Sequence, residues 1–295
     1  MPSSATSIAA MADADESPSA TSHEDDASQW TRVIRKGKAI GRQEQVLRLP
    51  RAGPESNFPP NPHARLTLQD IRTDHEKIPR KWRASPASSA LADLIIDNRR
   101  SHAPITNAVC LGLGSFDPED GSFDATRRSH VQLDAFLAIT KLLSMPMPNC
   151  PPHGSSAVFF SLMCVCLLPE ADSNEPVHCV FQEPRFTATD KELIKDLGHT
   201  VVDSPGAFDL IDSNALVFGV HLYRDIWASA LDKSLPAMFV GTGWDVWDEC
   251  PGSDKSADFE RIREMDMTYD KFAFPQDDHH TFSSTSIYWR KRDAP

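Results

Sequence analysis

The stretch Ala108-Val-Cys-Leu-Gly-Leu-Gly114 decides the fold of this chain. A short apolar run that ends in glycines is typical of a buried parallel strand that leads into a turn. Similar apolar runs follow at 177–181, 200–202, 215–220 and 237–240, and helical patterns lie between them at 128–143, 189–198 and 222–231. Strands that alternate with helices at this spacing predict a Rossmann-like, three-layer α/β fold with a mostly parallel sheet.

The helix predicted over 189–198 carries its own boundary signals. Thr189 is a good N-cap residue, Glu192 would complete a capping box, and Gly198 is suited to the C-terminal end. The apolar stretch 157–168 fits either a helix or a strand, because periodicity does not distinguish the two in so short a run.

The N-terminal part of the chain differs in composition from the rest. Residues 1–28 contain six Asp and Glu and neither Lys nor Arg, whereas residues 32–51 contain seven Lys and Arg and one Glu. A segment so poor in large apolar residues does not offset the entropy cost of folding. We therefore expect a disordered tail and linker over 1–65 and a domain over 66–295. The basic run is either a nuclear-import or docking segment or a solvated linker.

Charge and cysteine content exclude several function classes. The formal net charge is −12, which disfavours binding to nucleic acid through its phosphates. The six cysteines form no CxxC pair, so we expect reduced thiols and no metal site. The sequence shows neither a secretory signal nor an apolar run long enough to span a bilayer. We expect a soluble intracellular protein without membrane partners, in the cytoplasm or alternatively in the nucleus.

Ligands of open α/β sheets bind beyond the carboxyl ends of the strands, near the point where the strand order reverses. The residues that follow the predicted strands are therefore the candidate ligand-binding residues: Gly112, Gly114, Ser115, Glu183, His221, Gly241, Thr242 and Gly243.

These candidates permit both ligand-binding and structural interpretations. The two glycines resemble the start of a dinucleotide fingerprint, but its third glycine would fall at Asp117, and a tight turn explains both. Glu183 could accept hydrogen bonds from a ribose or cap the next helix. His221 could act as an acid or base, or be structural. We find no catalytic constellation, and the sequence identifies no cofactor.

Four blocks of the chain resemble the SRR-like family, named for the plant protein "sensitivity to red light reduced". They are Val109-Cys-Leu-Gly-Leu-Gly-Ser115, Phe181-Gln-Glu-Pro-Arg-Phe-Thr187 with Asp190, Val217-Phe-Gly-Val-His221, and Phe239-Val-Gly-Thr-Gly243. The late stretch Thr285-Ser-Ile-Tyr-Trp289 is similar to fungal members. Relative to the family, residues 144–176 are expected to be an insertion.

The resemblance implies a regulatory role. Plant members are associated with light signalling and the circadian clock, and animal and yeast relatives with regulation of haem biosynthesis. We therefore expect a regulatory domain that binds a small ligand at the strand ends, with protein partners recruited through the tail. A nucleotide- or S-adenosylmethionine-dependent enzyme that uses the same pocket is one alternative, and a non-catalytic interaction module is another.

Overall fold

A computed structural model describes residues 65–145, 177–249, 260–277 and 279–292. The expected tail, the ambiguous stretch 157–168 and nearly all of the expected insertion lie outside the described residues.

Helices and strands alternate along most of the described chain. The helices are α1 (Leu68–Lys77), α2 (Arg80–Arg83), α3 (Pro86–Asn98), α4 (Phe123–Ser144), α5 (Ala188–Asp196), α6 (Arg224–Leu231), α7 (Trp244–Asp248) and α8 (Glu260–Thr268), with a 3₁₀ turn at Gly206–Leu210. The strands are β1 (Asn107–Leu111), β2 (His178–Gln182), β3 (Thr200–Val201), β4 (Ala215–Phe218), β5 (Met238–Thr242), β6 (Asp270–Ala273) and β7 (Thr285–Trp289). Within the part of the chain described here, no helix is both long and apolar enough to cross a membrane.

The strands form one seven-stranded sheet in the order β3-β2-β1-β4-β5-β7-β6. The first five strands in this order pair in parallel, and β7 is antiparallel to both of its neighbours. The predicted mostly parallel α/β sheet is therefore confirmed. The sequence analysis did not predict β6 and β7, which extend the sheet beyond β5.

Alternate residues of each central strand face two separate apolar cores. Ala108 and Cys110 of β1 face the core formed with α3, α4 and α5, and Val109 and Leu111 face the core formed with α6 and α8. Both faces of the sheet are therefore covered, which explains why the central strands are apolar without alternation.

Two helices begin earlier than the sequence predicted. α4 begins at Phe123 because the Ser122 side chain accepts a hydrogen bond from the Ala125 N–H and caps the helix. The predicted cap of α5 was also wrong. Thr187 is its N-cap and Asp190 completes the capping box, so the predicted residues Thr189 and Glu192 lie within the helix. Gly198 follows α5 with a φ of 85°, as expected for a residue at the C-terminal end.

Candidate functional site

The strand order reverses between β1 and β4, and this switch point fixes where the candidate residues meet. β1 lies between β2 and β4, with Leu111 opposite Gln182 and Cys110 opposite Phe218. The loops that carry Gly114, Glu183 and His221 therefore leave three neighbouring strands at the same carboxyl edge.

Glu183 joins the loops that follow β1 and β2. Its Oε2 accepts a hydrogen bond from the Gly114 N–H at 2.8 Å, and its Oε1 accepts one from the Arg185 N–H at 2.8 Å. Burial raises the pKa of this carboxyl, and the two backbone bonds act in the opposite direction. Both carboxylate oxygens already have protein partners, so a ribose hydroxyl would have to share or displace them.

Ser115 takes part in a second buried connection between the same loops. Its hydroxyl donates to Asp190 Oδ2 at 2.6 Å, and the Phe116 N–H donates to Oδ1 of the same carboxylate. Asp190 is fully buried at the start of α5, and burial raises its pKa. Asp190 belongs to the second family block, but the sequence analysis did not place it near the candidate site.

A cavity of about 570 Å³ opens beside Gly114 and Ser115. The other lining residues come from the loop after β1, from α4 and from the loop after β2: Pro118, Glu119, Asp120, Ala125, Ser129 and Arg185. Gly114 has a φ of 81°, and a Cβ at this position would lie 2.9 Å from Ser129 Oγ. The turn therefore needs glycine both for its backbone conformation and for its approach to α4.

The crevice at the switch point itself is filled by the protein. A Cβ on Gly112 would lie 2.0 Å from Leu222 Cδ2, and a Cβ on Gly219 would lie 2.4 Å from Leu222 Cδ1. Leu222 is nearly buried and packs against the turns after both β1 and β4. This close packing with Leu222 explains why residue 112 is a glycine.

His221 contacts the C-terminal part of the chain. Its backbone has a φ of 58°, and its Nε2 donates to the Ser283 carbonyl oxygen at 2.9 Å. The side chain therefore links the loop after β4 to the turn that precedes β7.

The three candidates around the end of β5 take part in packing. A Cβ on Gly241 would lie 2.5 Å from the Trp227 ring, and a Cβ on Gly243 would lie 2.6 Å from Ser286 Oγ. Thr242 pairs with Thr285 of β7. None of these three residues lines the cavity beside Gly114.

The described residues offer no metal centre and no activated thiol. No group of three or more His, Cys, Asp or Glu residues among them could hold a metal ion. Cys110 and Cys179 are buried free thiols, and burial raises the pKa of Cys179 to about 11 and that of Cys110 well above its usual value. Thiols in this state are poor nucleophiles.

Comparison with known proteins gave one match. The family model described as SRR1 domain matches residues 86–289. No curated protein and no solved structure matches the chain significantly. The matched span runs from the first residue of α3 to the last residue of β7 and so includes the whole sheet and the cavity, but neither α1 nor α2.

Proposed function

The chain belongs to the SRR1 domain family, and from this premise we propose that it is a regulatory protein whose domain binds a small ligand in the cavity beside Gly114. The cavity is the observation that supports this proposal. Its volume of about 570 Å³ lies within the range usual for small-molecule sites, and it lies at the carboxyl edge of a parallel sheet.

The cavity lining favours binding over catalysis. The backbone of Gly114 lines the cavity. Ser115 and Ser129 contribute hydroxyl groups to its lining, and Arg185 contributes a permanent positive charge. Glu183 and Asp190, beside the cavity, are already bonded to backbone N–H groups. The carboxylates that line it, Glu119 and Asp120, are both exposed, and Asp120 Oδ1 accepts a hydrogen bond from the Ser122 N–H. Light signalling, clock control and regulation of haem biosynthesis are the roles that the family resemblance implies, and we propose that the ligand acts as a signal in such a role.

The strand order favours a second candidate, an enzyme that uses S-adenosylmethionine or a nucleotide. The order 3-2-1-4-5 reverses between β1 and β4, as in the open α/β sheets that bind nucleotides at such a switch point. This likeness is one of fold alone, and a fold does not determine a reaction. The same cavity would then hold the cofactor.

Thermal unfolding of the full-length protein with S-adenosylmethionine, ATP, NAD⁺ or haem tests the proposal. A ligand that binds only the folded state at 100 times its Kd stabilises it by about 2.7 kcal/mol. We expect one ligand of the panel to raise the Tm.

Ala125→Leu should abolish this rise because Ala125 lines the cavity. Ala138→Leu lies on the same helix away from the cavity and is the matched control. If Ala125→Leu leaves the rise intact, the ligand binds elsewhere and the proposed site is wrong. If no ligand raises the Tm, an interaction module that recruits protein partners through residues 1–65 is favoured. Product formed from a methyl acceptor by the wild type would favour the enzyme.

A further inference from the structure

Residues 65–83, here called the strap, precede the span matched by the family model and pack against the domain. The strap comprises Arg65, Leu66, α1, α2 and their connections. Ile71 and Trp82 are its buried large side chains, and both belong to the core on the α4 side of the sheet. The strap thus lies outside the span that the family model matches, although two of its side chains belong to the core of the domain.

The beginning of the strap binds the loop that forms the outer wall of the cavity. Arg65 Nε and Nη2 donate to Asp117 Oδ1 at 3.3 and 3.1 Å, and the Leu66 N–H donates to Oδ2 of the same residue at 3.0 Å. Arg65 also donates to the Pro118 carbonyl oxygen, and a Cβ on Gly121 would lie 3.2 Å from Arg65 Nη1. One arginine therefore contacts both ends of residues 117–121, here called the wall loop.

The wall loop is connected to the floor of the cavity. The Asp117 N–H donates to Ser115 Oγ at 3.0 Å, and that hydroxyl donates to the buried Asp190. The Asp117 side chain is 3% exposed. A carboxylate so deeply buried needs its partners, because an unpaired buried charge is costly. The position of the wall loop therefore depends on the strap.

Arg65 is exposed at the start of the strap, whereas Ile71 and Trp82 hold the rest of the strap in the core. Arg72 pairs with Asp196 and Arg83 pairs with Asp134, and both arginines are more than 40% exposed. Exposed ion pairs contribute little to stability. The beginning of the strap, which is held through a half-exposed arginine, therefore opens at a lower free-energy cost than the buried core.

We propose that the beginning of the strap, Arg65 and Leu66, regulates the cavity: when bound to Asp117 it holds the wall loop in place, and when it opens locally it frees the loop and changes access for a ligand. This inference rests on the proposed function, because it concerns the same cavity. If a ligand binds better when the wall loop is ordered, docking of the strap and ligand binding strengthen each other to the same degree.

Hydrogen exchange of the full-length protein tests the connection without any ligand. Arg65→Ala should increase the exchange rate of peptides from the wall loop about threefold or more, because the ion pair that it removes ends on a buried carboxylate. Arg72→Ala is the matched control, since it removes a strap ion pair that ends on α5 and not on the wall loop. Asp117→Asn should reproduce the effect of Arg65→Ala. Unchanged exchange in Arg65→Ala, or an equal increase in Arg72→Ala, would overturn the inference.

A binding measurement separates this inference from the proposed function. The probe is S-adenosylmethionine, followed by the other members of the thermal-unfolding panel. A Kd that differs between Arg65→Ala and Arg72→Ala by about threefold or more supports regulation by the strap, as expected for coupled sites. Equal Kd values overturn regulation but leave the proposed function intact. In a third outcome, the wall loop exchanges faster in Arg65→Ala but the wild type binds no probe. The strap then still holds the wall loop, and the proposed function is wrong.

Discussion

Mild acid should destabilise this protein through His130. The side chain is fully buried on α4 between Phe116, whose ring centroid is 4.7 Å away, and His75, whose Nδ1 lies 3.3 Å from its own Nδ1. Its buried Nε2 has no hydrogen-bond partner among the described residues. Burial and, to a smaller extent, His75 lower the pKa of His130 from 6.5 to about 3.

The direction of the effect follows from this pKa. The unfolded chain binds a proton near pH 6.5 and the folded protein only near pH 3, so stability is complete above pH 6.5 and is lost as the pH falls from 6.5 towards 3. One such histidine costs about 1.4 kcal/mol at pH 5.5 and about 2.7 kcal/mol at pH 4.5. Burial also lowers the pKa of His75, where Asp134 and Glu76 raise it and Arg83 lowers it.

Urea unfolding at pH 7.5 and pH 5.5 measures this loss. The wild type should lose unfolding free energy between the two pH values, and His130→Phe should lose about 1.4 kcal/mol less than the wild type. His280→Asn, in an exposed loop, is the control and should behave like the wild type. An identical pH dependence in the wild type and in His130→Phe would refute the reasoning.

Three further predictions concern stability. Gly114→Val should lower the unfolding free energy by about 2 kcal/mol or more, because a β-branched residue is strained at φ 81° and would meet Ser129; a Tm equal to that of the wild type would contradict this. Glu183→Gln should cost about 1–2 kcal/mol in urea unfolding, because the amide nitrogen cannot accept the second backbone hydrogen bond; a loss within error would show that Glu183 is not structural. Deletion of residues 1–60 should leave the Tm nearly unchanged, as their composition implies, and a large loss would show that they stabilise the domain.

The sequence predicted β1, β2, β4 and β5 because each contains a continuous apolar run, as two covered faces require. The edge strand β3 has only two residues, Thr200 exposed and Val201 half-buried, and was predicted from its place between two helical patterns. β6 was missed because its exposure alternates over only four residues, and β7 because its pairing with β5 is a contact between distant parts of the chain. Neither feature produces a local signal of comparable strength.

The cavity was predictable only in part, for similar reasons. Gly114 and Ser115 were found because they follow a strand. Ala125 was missed because the start of α4 depends on the cap at Ser122, which was not predicted, and Ser129 was missed because it lies on a helix and does not follow a strand. Asp117 drew notice only as the place where a third glycine was absent, since its partner Arg65 lies 52 residues away in the sequence.

The position of Leu222 limits the size of any ligand of this fold. A dinucleotide normally lies across the switch point, with one half on each side of the crevice. Here a branched side chain stands between the turns at Gly112 and Gly219, so a molecule of that length would first have to displace it. The cavity of about 570 Å³ beside Gly114 lies on the β2 side of this side chain. A ligand confined to that cavity would leave Leu222 in place, whereas NAD⁺ in the usual dinucleotide position would have to displace it.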